Sequence, residues 1–181
     1  MATLVGAATY GKGVVQTMFP LSTGGAVKIT VAEYLTPAGS RISDVGLQPD
    51  HQVLYHALQK EVAWQLLNPD DDPDLSFTAG GEALLNGRET GLVINVLERE
   101  GREYLPLRPV LESMLYQVYW HEDLISVMDG DREMSFNTGD GPGSPAIIFQ
   151  DEISYLAVDL CKQLNINVIK DGNNYKIQRQ I

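Results

Sequence analysis

Asn68-Pro69-Asp70-Asp71-Asp72-Pro73-Asp74 interrupts the chain with two prolines and four aspartates in seven residues. Proline removes a backbone donor and fixes φ, so neither a helix nor a central strand runs through such a stretch. A calcium loop is the sharper chemical reading of the aspartates. The glycine and terminal glutamate of an EF-hand loop are missing, so the segment reads as a solvated linker. It predicts a domain boundary, with modules over residues 1–68 and 75–181. A chain of 181 residues, 44% of them hydrophobic, is long enough for one or two domains with a real core.

Before the linker the pattern is mostly that of strands. Val14 to Phe19 forms one, and Ala26 to Leu35 forms another. Val27, Ile29, Val31 and Leu35 fall on one face, with Lys28, Thr30 and Tyr34 on the other. Ser22-Thr23-Gly24-Gly25 between them is hairpin chemistry. Residues 54–67 then predict a helix, with Leu54, Leu58, Val62 and Leu66 on one stripe. That helix is expected to pack back on the strands.

A lysine between two glycines, Tyr10-Gly11-Lys12-Gly13, opens the first of these strands. Glycines there allow a tight turn that presents one amine on a defined edge. By residue type alone Lys12 reads as a solvated lysine in a loop. Gly6 to Lys12 also matches the first part of a phosphate-binding loop. A Ser or Thr and then a helix should follow. Gly13 and a β-branched run follow instead, so no nucleotide site is expected.

The order of residues around this turn carries more. Leu4-Val5-Gly6, Thr9 to Thr17, Phe19-Pro20-Leu21, Ala26 to Tyr34, Thr36-Pro37-Ala38-Gly39 and Gly46-Leu47-Gln48-Pro49-Asp50 follow one another. Over roughly residues 3–53 this resembles the end of the catalytic domain of the C-terminal processing peptidases, also called tail-specific proteases. The resemblance implies a serine endopeptidase in which the lysine of the turn is the general base of a Ser/Lys dyad. A glutamine four residues on positions it. Those places are held here by Lys12 and Gln16.

The chemistry suits the residue types. A lysine amine is normally protonated at neutral pH, and burial in a low-dielectric cleft favours its neutral form. A neutral amine can take the proton of a serine hydroxyl that attacks a peptide carbonyl. In a straight strand Gln16 would share a face with Lys12 but lie about 13 Å away, so contact requires the turn to curl. In the family the nucleophilic serine lies upstream of the lysine. None of the eleven residues before Lys12 is a serine. Ser22, Ser40 and Ser43 lie downstream and read as turn residues. The expectation is therefore the C-terminal part of a protease, inactive by itself.

After the linker, Ala83 to Arg88 predicts a strand entering an Asn86-Gly87 turn. Tyr104-Leu105-Pro106-Leu107-Arg108 leads into a short helix, Pro109 to Leu115, and then the strands Tyr116 to Trp120 and Leu124 to Met128. A weaker copy follows about 50 residues on, with a helix over 155–164 and strands around Asp171-Gly172. In the two copies Met114 matches Leu164, Tyr116 matches Ile166, and Val118 matches Val168. Residues 80–181 resemble the copper amine oxidase N-terminal-like domain, a stalk module of bacterial secreted proteins. Asn86-Gly87, Tyr104 to Arg108 and Val118-Tyr119-Trp120 carry that resemblance. The fold class expected is α+β: a β-rich remnant of a protease catalytic domain plus a small α+β module of two related halves.

Side chains of the second module read as structural. Arg108 is expected to pair with a carboxylate or helix end. Val118 and Trp120 alternate as strand core, and Cys161 sits on a helix stripe as a small hydrophobe. His51, His56 and His121 show no ligand spacing, so no metal or cofactor is expected. The net charge of −11 argues against a nucleic-acid or anionic-membrane partner. No apolar run is long enough to span a bilayer. The partner expected is a polypeptide substrate, met through an N-terminal portion outside this chain. Self-association at open strand edges is a further expectation. The resemblances imply an extracytoplasmic location. The rival reading is a non-catalytic extracytoplasmic interaction or wall-associated module with a degenerate protease remnant.

Overall fold

The computed structural model describes residues 2–138 and 146–179. The chain forms two compact units, Met1–Gln52 and Val53–Ile181.

In the first unit, β1 (Val5–Gly6) is followed by β2 (Val14–Pro20), β3 (Ala26–Glu33) and β4 (His51–Gln52). The strands β1 and β4 pair in parallel, Val5 opposite His51 and Gly6 opposite Gln52. The strands β2 and β3 form an antiparallel hairpin with Phe19 opposite Val27 and Thr17 opposite Ile29. Its loop is closed by a Leu21 N–H to Gly25 carbonyl bond of 3.0 Å. The β-branched residues make strands, as their type predicts. They remain largely exposed, however, with Phe19, Val27, Ile29 and Val31 all in contact with solvent. A two-stranded hairpin has no second layer to bury its faces against.

The second unit opens with α1 (His56–Leu67). Leu58 and Val62 form its buried face, one turn apart. The first backbone N–H groups of a helix have no partner inside it. Just ahead of α1, those of Leu54 and Tyr55 donate to the Glu112 carboxylate at 3.1 and 2.9 Å. Asn68 ends the helix by donating Nδ2 to the Trp64 carbonyl at 2.7 Å.

Next come β5 (Asp74–Thr78), β6 (Glu82–Leu85), β7 (Arg88–Val93), β8 (Leu97–Arg99), β9 (Arg102–Pro106) and α2 (Leu107–Ser113). The rest is β10 (Gln117–His121), β11 (Leu124–Asp129), β12 (Arg132–Asn137), β13 (Ile147–Gln150), β14 (Ile153–Ala157), a 3-10 helix (Val158–Leu164), β15 (Ile166–Asp171) and β16 (Asn174–Arg179). They form sheets in the orders β15-β16-β5-β6-β7, β13-β14-β9-β8 and β10-β11-β12. The β-rich α+β composition agrees with the sequence pattern. Asn86 and Gly87, at φ 52° and 74°, make the tight turn between β6 and β7. In the centre, β9 and β14 pair antiparallel with Leu105 opposite Leu156 and Tyr104 opposite Ala157. The short α2 is buried along nearly its whole length, as an apolar helix must be.

At three places the structure differs from the sequence pattern. The compact units divide after Gln52, which puts residues 68–74 inside the second unit. Gln65 donates Nε2 to the carbonyls of Asn68 and Asp71. Asp74 and Asn86 are tied by two bonds, from the Asp74 N–H to Asn86 Oδ1 and from the Asn86 N–H to the Asp74 carbonyl. Side-chain amides thus hold a polar, proline-broken stretch that composition alone reads as solvated. Secondly, α1 belongs to the second unit, where it packs on α2 and β7. Its Glu61 and Gln65 are buried with Leu58 and Val62, because Arg88 pairs with Glu61 at 3.2 Å and lies 3.7 Å over the Trp64 ring. Thirdly, the helix predicted over 155–164 begins only at Val158. Tyr155, Leu156 and Ala157 are taken up by pairing with β9.

Candidate active site

The site lies wholly in the first unit. The segment from Thr9 to Gly13 runs alongside residues 42–47 in the opposite direction. Thr9 donates its N–H to the Leu47 carbonyl at 3.0 Å, and Leu47 returns a bond to Thr9 Oγ1 at 2.8 Å. Asp44 donates its N–H to the Gly11 carbonyl at 3.0 Å. Gly13 donates to that same carbonyl at 3.0 Å. An i→i+2 bond of this kind closes a three-residue turn with Lys12 at its apex.

The glycines on either side are needed for this approach. Gly11 has φ +81°, where an L side chain is strained. A Cβ on it would lie 2.8 Å from the Gly46 nitrogen. A Cβ on Gly13 would lie 2.5 Å from the Ser43 nitrogen and 2.8 Å from Ser43 Oγ. All three distances are closer than packed atoms come. The turn can lie on residues 42–47 only with glycine at these places.

Gln16 follows a β-bulge, where the register between β2 and β3 slips between Val15 and Gln16. Bulges re-aim side chains. Its Nε2 donates to Thr30 Oγ1 across the hairpin at 3.4 Å. The amide oxygen, Oε1, is left as an acceptor. Lys12 and Gln16 line one open cleft of about 570 Å³, together with Tyr10, Val14, Ser43 and Asp44. Lys12 is exposed, and among the described residues its amine makes no hydrogen bond or ion pair.

Residues 1–53 match the family model for Peptidase family S41. Curated relatives agree over the same stretch. The chain is 47% identical over 49 residues to the carboxy-terminal-processing protease of Bartonella bacilliformis, covering 27% of this chain and 11% of that one. It is 48% identical over 52 residues to the carboxyl-terminal-processing protease of Synechocystis sp., covering 29% and 12%. Carboxy-terminal processing protease CtpA of Bacillus subtilis matches at 26% over 168 residues, 91% of this chain and 30% of that protein. The chain thus spans less than a third of the length of the relatives it matches, from 11% to 30%. No solved structure matches it significantly.

The segment matched by the family model holds two further cleft residues that the sequence does not single out as functional, Ser43 and Asp44. They lie some thirty residues from Lys12 in the sequence, and only the packing of the turn joins them to it. Ser43 Oγ is buried and has no hydrogen-bond partner among the described residues. Asp44 adopts φ +65°, a strained value for a residue other than glycine. His51 of the same segment is half-buried, and burial holds its imidazole below the usual range.

Outside residues 1–53, side chains expected to be structural have bonding or packing partners. Arg108 donates Nη1 to Glu112 Oε1 at 3.1 Å and to the Val118 carbonyl at 2.9 Å. Val118 is buried, and Trp120 meets the Phe149 ring edge-on at 4.9 Å. Cys161 is fully buried, and burial foremost, with Asp159 adding, pushes its thiol up to about 12. Among the described residues no group of His, Cys, Asp and Glu is placed to hold a metal ion. No described helix is long and apolar enough to cross a membrane.

Proposed function

We propose that this chain is the C-terminal part of a secreted C-terminal processing peptidase, a serine endopeptidase in which Lys12 is the general base of a Ser/Lys dyad. The observation that carries the reading is the meeting of Lys12 and Gln16 in one cleft, inside the stretch that matches Peptidase family S41. The nucleophilic serine is supplied by a part of the full-length protein beyond these residues. As its Oγ bonds to the substrate carbonyl carbon, its proton passes to Lys12 Nζ. When the tetrahedral intermediate collapses, the C–N bond breaks and the same proton goes to the leaving amine. Gln16, pinned by Thr30, offers Oε1 to one Nζ–H and so orients the base. Approach of the missing portion strips water from Lys12, which favours the neutral amine the reaction needs.

Residues 75–181 serve as a copper amine oxidase N-terminal-like stalk made of two related halves. The antiparallel meeting of Leu105 and Leu156, each just ahead of a short helix and a hairpin, supports that symmetry. The location is extracytoplasmic. The test is incubation of an unfolded polypeptide with the full-length protein, followed by mass spectrometry. Internal cleavage near the C-terminus is expected. Intact polypeptide after prolonged incubation favours the non-catalytic interaction module.

A further inference from the structure

The Ser43 hydroxyl is anomalous in its own surroundings. A buried hydroxyl without a partner is costly, so folds rarely leave one. Ser43 Oγ is such a group among the described residues. Its place is not accidental. The Asp44 N–H to Gly11 bond and the absence of a side chain on Gly13 press the Ser43 backbone against the Lys12 turn. The αL conformation of Asp44 bends the loop there at a conformational cost. Ser43 also lines the cleft that holds Lys12 and Gln16.

We propose that Ser43 is a positioning residue for Lys12, its Oγ accepting one Nζ–H while Gln16 Oε1 accepts the other. The inference rests on the dyad reading and deepens it. A neutral lysine amine has two N–H groups and one lone pair. With both N–H groups held by acceptors, the lone pair can point only towards the nucleophile. A rotation of the Ser43 side chain into the cleft and a swing of the flexible Lys12 stem make the contact. After proton transfer the ammonium keeps both bonds and gains strength from its charge. Tyr10 and Asp44 are the other titratable groups lining the cleft.

The test uses the full-length protein and its peptide-cleavage kinetics. Ser43→Ala should lower kcat by about 3- to 10-fold, the value of one hydrogen bond, with KM nearly unchanged. A hydrogen bond to the charged amine favours that form, so its loss should move the acid limb of the pH–rate profile to lower pH. Ser43→Thr, which keeps the hydroxyl, should restore both. The melting temperature of the 181-residue chain should not fall in Ser43→Ala, since no native bond is lost. Lys12→Ala serves as the control. If it leaves cleavage intact, the dyad reading itself fails. If it abolishes cleavage while Ser43→Ala keeps plateau and acid limb, only the Ser43 inference is overturned. A drop in melting temperature with no movement of the acid limb would make the Ser43 role structural.

Discussion

Gly13 and Ser43 approach so closely that a Cβ on Gly13 would lie 2.5 Å from the Ser43 nitrogen. Backbone, not a flexible side chain, stands in the way. Gly13→Ala should therefore destabilise the first unit by about 1–3 kcal/mol, as overpacking does. Hydrogen exchange should show faster exchange at the Asp44 amide, whose bond to Gly11 depends on the same approach. Unchanged protection there would mean that the turn does not rest on residues 42–47.

Glu112 is fully buried and accepts from Arg108 and from the amides of Leu54 and Tyr55. Removing one partner of a buried pair leaves an uncompensated charge, which costs about 3–5 kcal/mol. Arg108→Ala should lower stability by that order in denaturant titration. Adding Glu112→Gln should recover part of the loss, because the remaining group is neutral. If the double variant were less stable than either single one by their full sum, the two residues would not be coupled.

The Lys170 ammonium beside Glu103, with the Tyr175 hydroxyl adding, holds the Glu103 carboxyl below the usual glutamate value of 4.5, although burial opposes this. Its folded pKa is depressed, so the contribution to stability is present above 4.5. It is lost as the pH falls through the lower, folded value. Wild type should lose more stability than Glu103→Gln between neutral pH and pH values below 4.5, as read by melting temperature. Parallel curves for the two proteins would remove Glu103 from the acid response.

Local patterns made much of this fold legible in the sequence. The β2–β3 hairpin, the Asn86-Gly87 turn and the helix stripe of Leu58 and Val62 all follow from residue type and spacing. Lys12 and Gln16 stood out by their order in a longer motif. What stayed hidden depended on distant partners. Residues 69–72 are exposed, as their composition predicts, but the amides of Gln65 and Asn86 that hold the stretch carry no periodic signal. The attachment of α1 to the second unit rests on Glu61 with Arg88 and on Glu112 from α2, none of which an apolar stripe reveals. Ser43 belongs to the cleft only through Gly13, and that is a fact of close approach.

The central claim is that Lys12 is the base and Gln16 only its support. The measurement is kcat/KM of the full-length protein on an unstructured peptide, with Lys12→Ala and Gln16→Ala compared at one pH. A positioned general base contributes typically about 10²- to 10⁴-fold. Lys12→Ala should therefore lose about that much, because the account gives the serine proton to Lys12 alone. Gln16→Ala should lose less, since it orients the base and accepts no proton. Cleavage by Lys12→Ala at the wild-type rate would contradict the account and leave Lys12 a solvated lysine in a turn.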